Sequence, residues 1–401
     1  MLARAILGVV LFTCGLAAGA ENQAAVRGAG DRDGDGDGDG DAPHEREGAR
    51  RLASAQDLNL SDAEEQIIGT PWNYQQRFDP KLFARSSEWA PNLYALPDGV
   101  CDVNDNHKQL IDQIDVWGGA AKTKPRLLCG IYTHEKNHNT KVKAIKETWA
   151  SRCDGFVAFS DKVDLNVPSF KIKHEGPEEW NNMWQKSRAI WKYIDRHYKN
   201  DFDWFVLGGD DIFLIVENLR KYLLSAEIKK AAGGFQNGGT NPMYLGRRFR
   251  PKGNDERIFN SGGAAYVLNQ ASLGLLASQL DTPACHAHQE CSWEDVNVAA
   301  CLRQQGVVAF DTRDALGRER FHPFTPGQHL SYQIPRQNPE KDWYIEYSID
   351  LKTGRECCSR NSLSFHYVDE KLMRRLYHLL YSCPKAPVKL ERVDLLSAPK
   401  A

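Results

Sequence analysis

The chain has 401 residues, 41% of them hydrophobic, so it is long enough to bury one large core or two smaller ones. Its 51 lysine and arginine residues nearly balance its 53 aspartate and glutamate residues. This balance argues against nucleic acid or a membrane surface as a partner, because both are recognised through an excess of positive charge.

The cysteines favour an oxidising compartment. The chain has 10, and all except Cys14 fall between Cys101 and Cys383. Such a density, which includes the neighbours Cys357 and Cys358, is unusual in the cytosol, where thiols stay reduced. The absence of a CxxC pair argues against a zinc ribbon or a thioredoxin-type site.

The first 20 residues, MLARAILGVVLFTCGLAAGA, predict entry into the secretory pathway. One basic residue, Arg4, precedes an uncharged apolar stretch that ends in Ala18-Gly19-Ala20, a pattern typical of a signal peptidase site. The apolar stretch is shorter than the roughly 20 residues of a comfortable transmembrane helix. A cleaved signal peptide and a retained signal anchor both remain open, since thinner membranes accept shorter spans.

Residues 21–100 are predicted to form a flexible stem. They include the repeat GDRDGDGDGDGDA, whose self-repelling charges and glycines favour a spacer over a calcium loop. The sequence Asn59-Leu60-Ser61 is a glycosylation sequon on this stem. We expect the chain to become ordered near Cys101.

Beyond the stem, apolar runs alternate with amphipathic stretches. Strands are predicted at 126–132, 155–160, 169–173 and 204–207, and helices at 139–152, 178–198 and 214–224. In the first helix, Val142, Ile145 and Trp149 share one face. Strands that alternate with helices predict an α/β fold with a parallel sheet. Ligands of such sheets bind at the carboxyl ends of the strands.

Asp210 and Asp211 stand at one of these strand ends, in the sequence WFVLGGDDIF. Adjacent carboxylates in a cleft repel each other unless a cation neutralises them. Mg²⁺ or Mn²⁺, held by oxygen ligands, would fit. Alternatively, Asp210 caps the following helix while Asp211 is solvated. These residues alone leave both interpretations open.

Later motifs add candidate residues. Glu294 and Asp295 begin a predicted helix, where they either interact with the helix dipole or supply a general base. His322 and His366 lie in apolar surroundings, where a histidine is usually structural. His366 is a candidate metal ligand only if the fold brings it to Asp211.

The sequence NSGGAAYVL contains the pair Gly262-Gly263. Two consecutive glycines permit either close approach of the backbone to a ligand or tight packing beneath a loop.

Taken in order, the motifs resemble those of the core 1 β1,3-galactosyltransferases, within the wider β1,3-glycosyltransferase and fringe group. The resemblance rests on RLLCGIYTHEKN, KETWASRC, NMWQKSRAIWKYI, DWFVLGGDD, VENLR, LGRRFRP, SGGAAYVLN, WEDVNVAACL, DTRDALGRERFHPF and CCSRNSLSFHYV. It covers roughly residues 125–380. It implies a GT-A fold, with a mostly parallel Rossmann-like sheet flanked by helices, behind an N-terminal anchor and stem. The catalytic domain would span 101–390, with a nucleotide-binding half at about 125–235 and an acceptor half at 236–390.

The resemblance also implies an activity. Members of this family transfer galactose from UDP-galactose in β1,3 linkage to GalNAc that is α-linked to serine or threonine of glycoproteins. We therefore expect a Mn²⁺-dependent inverting enzyme that works by a single displacement. A type II Golgi membrane protein with a lumenal catalytic domain is expected, or a secreted or lumenal one if residues 1–20 are cleaved. The family's habit of dimerising suggests a homodimer.

The metal motif of the family is three consecutive acids. Here these positions are Gly209, Asp210 and Asp211, so the first acid is missing. By resemblance, Asp211 bonds the metal directly, Asp210 lies in the metal and nucleotide site, and His366 is a second metal ligand.

The resemblance implies the remaining site residues as well. Asp295 is the expected catalytic base, with Glu294 as the alternate. The other matched positions are Thr133, Ser160, Asp161 and Lys186 for the nucleotide donor, and Trp343, Tyr344 and Arg247 for the acceptor.

Three disulfides are implied by the same resemblance. They join Cys129 to Cys153, Cys285 to Cys301, and Cys357 to Cys358; the extra Cys291 leaves the second pairing ambiguous. The sequence assigns no partner to Cys101 or Cys383.

Two alternatives to core 1 synthesis remain open. Related proteins that lack the acidic motif are folding chaperones for such enzymes, and Gly209 is a step in that direction. A β1,3-transferase with another UDP-sugar, such as fringe-type GlcNAc transfer, would keep the catalytic residues and change the donor.

Overall fold

A computed structural model of the protein describes residues 99–119, 124–164, 166–251 and 254–384. The predicted signal segment, nearly all of the stem and its sequon lie outside the described residues. Among the residues that the structure describes, no helix is both long and apolar enough to cross a membrane.

The centre of the fold is a six-stranded sheet in the order β3-β2-β1-β4-β9-β6. Shorter strands form a three-stranded sheet, β10-β11-β5, and a two-stranded one, β7-β8. The strands are β1 Leu127–Tyr132, β2 Gly155–Ser160, β3 Ser169–Lys171, β4 Trp204–Gly209, β5 Phe213–Leu214, β6 Tyr244–Gly246, β7 Arg248–Phe249, β8 Phe259–Asn260, β9 Tyr266–Asn269, β10 Phe321–His322 and β11 Ser364–Phe365.

The central sheet is mostly parallel, as predicted. Strands β3, β2, β1 and β4 pair in parallel, and β9 runs antiparallel to both of its neighbours, β4 and β6. Tyr266, at the start of β9, lies opposite Leu207 near the carboxyl end of β4. The chain turns just before it, where the amide of Ala265 donates to the carbonyl of Gly262 at 3.0 Å. Strand β9 therefore enters the sheet from the edge at which parallel strands end.

Helices cover the sheet. Their bounds are α1 Asn106–Ile111, α2 Lys143–Glu147, α3 Met183–Tyr198, α4 Val216–Leu223, α5 Ala226–Ala231, α6 Gln270–Gln279, α7 Glu294–Gln304, α8 Pro326–Ser331, α9 Trp343–Tyr347 and α10 Glu370–Tyr381. The single helix predicted at 139–152 is wrong in its continuity. A π-helical turn, His138–Val142, precedes α2, and a 3₁₀ turn, Ala150–Arg152, follows it.

Alternation along the strands divides the core between the two faces of the sheet. Cys129 and Ile131 of β1 belong to one buried cluster, whereas Leu128 belongs to the other. Val142, Ile145 and Trp149 are all fully buried in the first cluster, in agreement with their predicted common face. Each Å² of apolar surface that is buried stabilises the folded state by about 25 cal/mol, so these two buried clusters are the main source of stability.

The structure contains disulfides at the three pairs that the resemblance implied, Cys129–Cys153, Cys285–Cys301 and Cys357–Cys358. It adds a fourth, Cys101–Cys383, whose Cα atoms are 5.5 Å apart. This bond joins the beginning of the described chain to the residues after α10. A crosslink over so long a loop removes much conformational freedom from the unfolded chain.

Candidate active site

Strand pairing brings Asp211 and His366 together. Phe365 of β11 lies opposite Phe213 of β5, and the amide of Val368 donates to the carbonyl of Asp211 at 2.9 Å. The residue that follows β11 therefore lies beside the residues that follow β4. The Nε2 atom of His366 is 3.2 Å from Oδ1 of Asp211.

Asp210 points to a different set of groups. Its Oδ2 accepts hydrogen bonds from the hydroxyl of Thr133 and the side-chain amide of Asn137, both at 2.7 Å. Its Oδ1 accepts from the ammonium of Lys141 at 3.0 Å. The helix-capping interpretation of Asp210 is wrong, because α4 begins at Val216 and its N-cap position has no side-chain hydrogen bond.

Glu294 and Asp295 begin α7, as predicted, and their environments differ. Glu294 is only 5% exposed, and its Oε2 accepts from the hydroxyl of Tyr266 at 2.9 Å. Asp295 is half-buried, and its Oδ2 accepts from the amide of Gly262 at 2.8 Å. Asp295 is thus the more accessible carboxylate, held in place by a backbone donor.

Burial raises the pKa of both acids. Burial, followed by repulsion from Asp295, raises the pKa of Glu294 to about 8, against the hydrogen bond from Tyr266. Burial also raises the pKa of Asp295 above its ordinary value, although the amide of Gly262 opposes the shift. Glu294 is therefore mainly protonated at neutral pH. A raised pKa brings Asp295 closer to the pH at which a general base works best.

Gly262 and Gly263 link the acidic pair to the histidine. A Cβ atom on Gly262 would collide with the carboxyl oxygen Oε1 of Glu294 and lie 3.4 Å from Cβ of Asp295. A Cβ atom on Gly263 would collide with the imidazole of His366. The two glycines thus allow the backbone to pass between these side chains, which explains the sequence SGG by close packing.

Tyr132, which no sequence motif indicated, pairs with Gly209, directly before Asp210 and Asp211. Burial, together with the charges of Glu294, Asp295, Asp211 and Asp210, raises its pKa well above the ordinary value. Its position as the last residue of β1 is the only sequence feature that could have marked it. The four acids lie at the carboxyl edge of the sheet, because Asp210 and Asp211 follow β4 while Tyr266, at the start of β9, and the amide of Gly262 hold Glu294 and Asp295.

The residues assigned to the nucleotide lie on the same edge. Thr133 follows β1, Ser160 ends β2, and the hydroxyl of Ser160 donates to Asp161 at 3.0 Å. Lys186 of α3 is buried, donates to the carbonyl of Thr133 at 2.6 Å and forms an ion pair with Glu178. Their contact with a nucleotide stays a prediction.

The residues assigned to the acceptor are mostly buried. Arg247 is 1% exposed, forms an ion pair with Glu319 and donates to the hydroxyl of Ser348 at 3.0 Å. Tyr344 is 3% exposed, whereas Trp343 is half-buried. Trp343 is therefore the most accessible of the three, and their contact with an acceptor stays a prediction.

A row of aromatic rings leads from Trp343 to His366. Ring centroids are 5.8 Å apart between Trp343 and Phe324, 6.3 Å between Phe324 and Tyr367, and 3.9 Å between Tyr367 and His366. Tyr367 is 46% exposed and was not singled out from the sequence. Aromatic faces of this kind suit the apolar face of a sugar ring.

The buried acid of Glu294 makes a testable contribution to stability. Because its pKa is raised from 4.5 to about 8, the folded state keeps a proton that the unfolded chain releases at lower pH. We expect the free energy of unfolding to fall as pH rises between these values, by up to about 1.4 kcal/mol per pH unit from this group. Glu294→Gln should flatten the profile in denaturant titrations across this range. The exposed Glu290→Gln variant is the matched control, and parallel profiles for Glu294→Gln and wild type would contradict the assignment.

Comparison with known proteins gives consistent matches. The chain matches the model of the fringe-like family over residues 123–351. It is 31% identical to glycoprotein-N-acetylgalactosamine 3-beta-galactosyltransferase 1 of Xenopus laevis, over 77% of this chain and 78% of that one. It is 23% identical to beta-1,3-glucosyltransferase of Mus musculus, over 57% of this chain and 43% of that one. It is 27% identical to chondroitin sulfate synthase 3 of Homo sapiens, over 47% of this chain and 22% of that one.

Proposed function

Because the chain belongs to the fringe-like family, in the group that contains the core 1 β1,3-galactosyltransferases, we propose that it is a core 1 enzyme. It would transfer galactose from UDP-galactose, in β1,3 linkage and with inversion, to GalNAc that is α-linked to serine or threonine of a glycoprotein. The proposal includes a lumenal catalytic domain at the Golgi membrane. A homodimer stays a prediction.

One observation carries the proposal. The amide of Gly262 donates to the half-buried Asp295, the next residue, Gly263, packs against the imidazole of His366, and His366 contacts Asp211. A group that accepts a proton and a group that binds a cation therefore lie side by side at the edge of the sheet where ligands of α/β folds bind. This arrangement suits attack by a hydroxyl on a sugar that is attached to a diphosphate.

The donor set fits a divalent cation such as Mn²⁺. Asp211 supplies carboxylate oxygens and His366 an imidazole nitrogen, both of which Mn²⁺ accepts. Burial raises the pKa of Asp211, but the hydrogen bond and charge of His366 and the charge of Lys141 outweigh it, so the pKa is lowered and the carboxylate stays ionised. A bound cation would neutralise the charge that grows on the departing diphosphate.

The chain's own residues supply the rest of the chemistry. Asp295 takes the proton from the 3-hydroxyl of the acceptor as that oxygen attacks the anomeric carbon from the face opposite the leaving group. The amide of Gly262 fixes the carboxylate for this step. One displacement converts an α-linked donor into a β-linked product, so no covalent intermediate with the protein is needed.

The test is a donor screen. Purified protein is incubated with a GalNAc-bearing peptide and either UDP-galactose, UDP-GlcNAc or UDP-glucose, with and without Mn²⁺. We expect transfer from UDP-galactose only, and only with Mn²⁺. Transfer from UDP-GlcNAc or UDP-glucose instead would show that the donor assigned here is wrong. The absence of transfer from all three would contradict the proposed function.

Gly209 favours a second candidate, a catalytically impaired homologue that assists the folding of related enzymes. The first acid of the motif is missing, and Asp210 is engaged by internal donors. This candidate predicts no transfer from any UDP-sugar, together with a higher yield of active enzyme when the protein is co-expressed with an active relative.

The structure also predicts the effect of filling Gly209. A Cβ atom there would lie 2.9 Å from Oδ1 of Asp211, the same oxygen that meets His366. We expect Gly209→Ala to displace this carboxylate and weaken Mn²⁺ binding in the presence of UDP by about tenfold, measured by calorimetry. Gly118→Ala, with open space around its added methyl group, is the control.

The same crowding at position 209 also affects a variant that restores the family's three-acid motif. Gly209→Asp adds the missing acid but introduces the same Cβ atom, so tighter Mn²⁺ binding is not expected from it. Tighter Mn²⁺ binding by Gly209→Asp than by wild type would show that the Asp211 carboxylate moves away from the added Cβ atom without losing its contact with the cation.

A further inference from the structure

The ammonium group of a lysine, Lys141, lies close to both Asp210 and Asp211. Lys141 projects from the π-helical turn His138–Val142, and its ammonium is 3.0 Å from Oδ1 of Asp210 and 4.0 Å from Oδ2 of Asp211. Its side chain is 29% exposed. No motif in the sequence singled this residue out.

The contacts of Asp210 limit what else this carboxylate can bind. Thr133 and Asn137 both donate to its Oδ2, and Lys141 donates to its Oδ1. A carboxylate offers about four lone-pair positions, so three donors occupy most of them. The position that is left lies on Oδ1, beside the ammonium of Lys141, so a cation that approached Asp210 there would be repelled by this charge.

The remaining ligands are too few to hold a cation on their own. Asp211 and His366 offer one carboxylate and one imidazole, whereas Mg²⁺ or Mn²⁺ takes about six ligands, several from water or from substrate phosphates. The ammonium offsets one of the two negative charges of the aspartates. Because Gly209 stands where the family has an acid, Asp210 and Asp211 have no third carboxylate beside them in the motif.

We propose that Lys141 is a built-in counter-cation of the Asp210–Asp211 pair, which makes binding of the divalent cation depend on a nucleoside diphosphate. Without the nucleotide, the ammonium neutralises the acids and the cation binds weakly. With it, the diphosphate would supply the missing oxygens and negative charge, and Asp211 and His366 would hold the cation from the side of the protein. This inference rests on the proposed function, because it takes the donor to be a nucleoside diphosphate sugar.

The test measures binding of Mn²⁺ by calorimetry, with and without UDP. We expect wild type to bind Mn²⁺ at least about tenfold more tightly with UDP than without it. Lys141→Met removes the charge, keeps the length of the side chain and should tighten binding without UDP by about tenfold, with a smaller gain from UDP. Lys143→Met, an exposed lysine two residues further on, should match wild type.

The outcomes separate this inference from the proposed function. Unchanged or weaker Mn²⁺ binding by Lys141→Met without UDP would overturn the counter-cation role, even if galactose transfer were observed. Tighter binding by Lys141→Met would support it, even if the donor screen gave no transfer. Lys141→Arg retains the positive charge and should bind Mn²⁺ as wild type does. If Lys141→Met is unfolded by circular dichroism, Lys141→Gln takes its place with the same expectations.

Discussion

Asp295→Asn is expected to lower the rate of sugar transfer by about 10²–10⁴-fold, the range that a positioned general base supplies. Asparagine has the same shape, and its carbonyl oxygen can still accept the hydrogen bond that the amide of Gly262 donates to Asp295. It cannot accept the proton of the acceptor hydroxyl. Initial rates with saturating UDP-galactose and acceptor peptide measure the loss. Calorimetry should give unchanged affinity for UDP and Mn²⁺.

Glu294→Gln distinguishes the two adjacent acids. Glu294 is buried, hydrogen-bonded to Tyr266 and mainly protonated at neutral pH, so glutamine resembles its prevailing form. We expect this variant to keep most of its transfer rate. A large loss in Glu294→Gln, together with an active Asp295→Asn, would move the catalytic role to Glu294.

Strands β1, β2 and β4, which end at the candidate site, could be predicted because each is an apolar run that is followed by a polar residue. Residues 155–160 have the bounds that the pattern predicts. Strand β4 continues past the predicted end at Leu207, through Gly208 to Gly209. Glycine weakens a strand pattern in sequence, yet here Tyr132 pairs with Gly209 and prolongs the ladder.

The meeting of Asp211 and His366 could not be predicted from local pattern. It depends on the pairing of β11 with β5, which are two-residue strands far apart in the chain. Strands this short give no periodic pattern from which to infer a partner. The family resemblance suggested both residues, and the antiparallel register supplies the physical reason for their contact.

Lys141 was missed for a different reason. It lies in NTKVKAIKE, where lysines alternate with apolar residues and predict a solvated helix face. The chain instead forms a π-helical turn here, and Lys141 meets Asp210 and Asp211. Such turns often occur at functional sites and leave no mark in a hydrophobic pattern.

The Asp211→Asn variant should show whether the cation is needed for transfer. Asparagine removes the negative charge of Asp211 and one strong oxygen ligand, and it keeps a carbonyl oxygen that can lie near His366. Stabilisation of a departing diphosphate by a cation amounts to several kcal/mol, so we expect a loss of about 10³-fold in the rate of transfer. Mn²⁺ affinity in the presence of UDP should fall as well. The control is Asp281→Asn, a surface aspartate that pairs with Lys192.

A chelator provides the matching experiment on the unaltered protein. EDTA should abolish transfer by wild type, and excess Mn²⁺ should restore it, whereas Asp211→Asn should not recover at any Mn²⁺ concentration that saturates wild type. Transfer that resists EDTA would indicate that Lys141, rather than a divalent cation, neutralises the leaving diphosphate. Within the part of the chain that the structure describes, Lys141 is the one cationic side chain that lies within 4.0 Å of both Asp210 and Asp211. In that case Lys141→Met, rather than Asp211→Asn, would be the inactive variant, so the pair of substitutions identifies which cation the reaction uses.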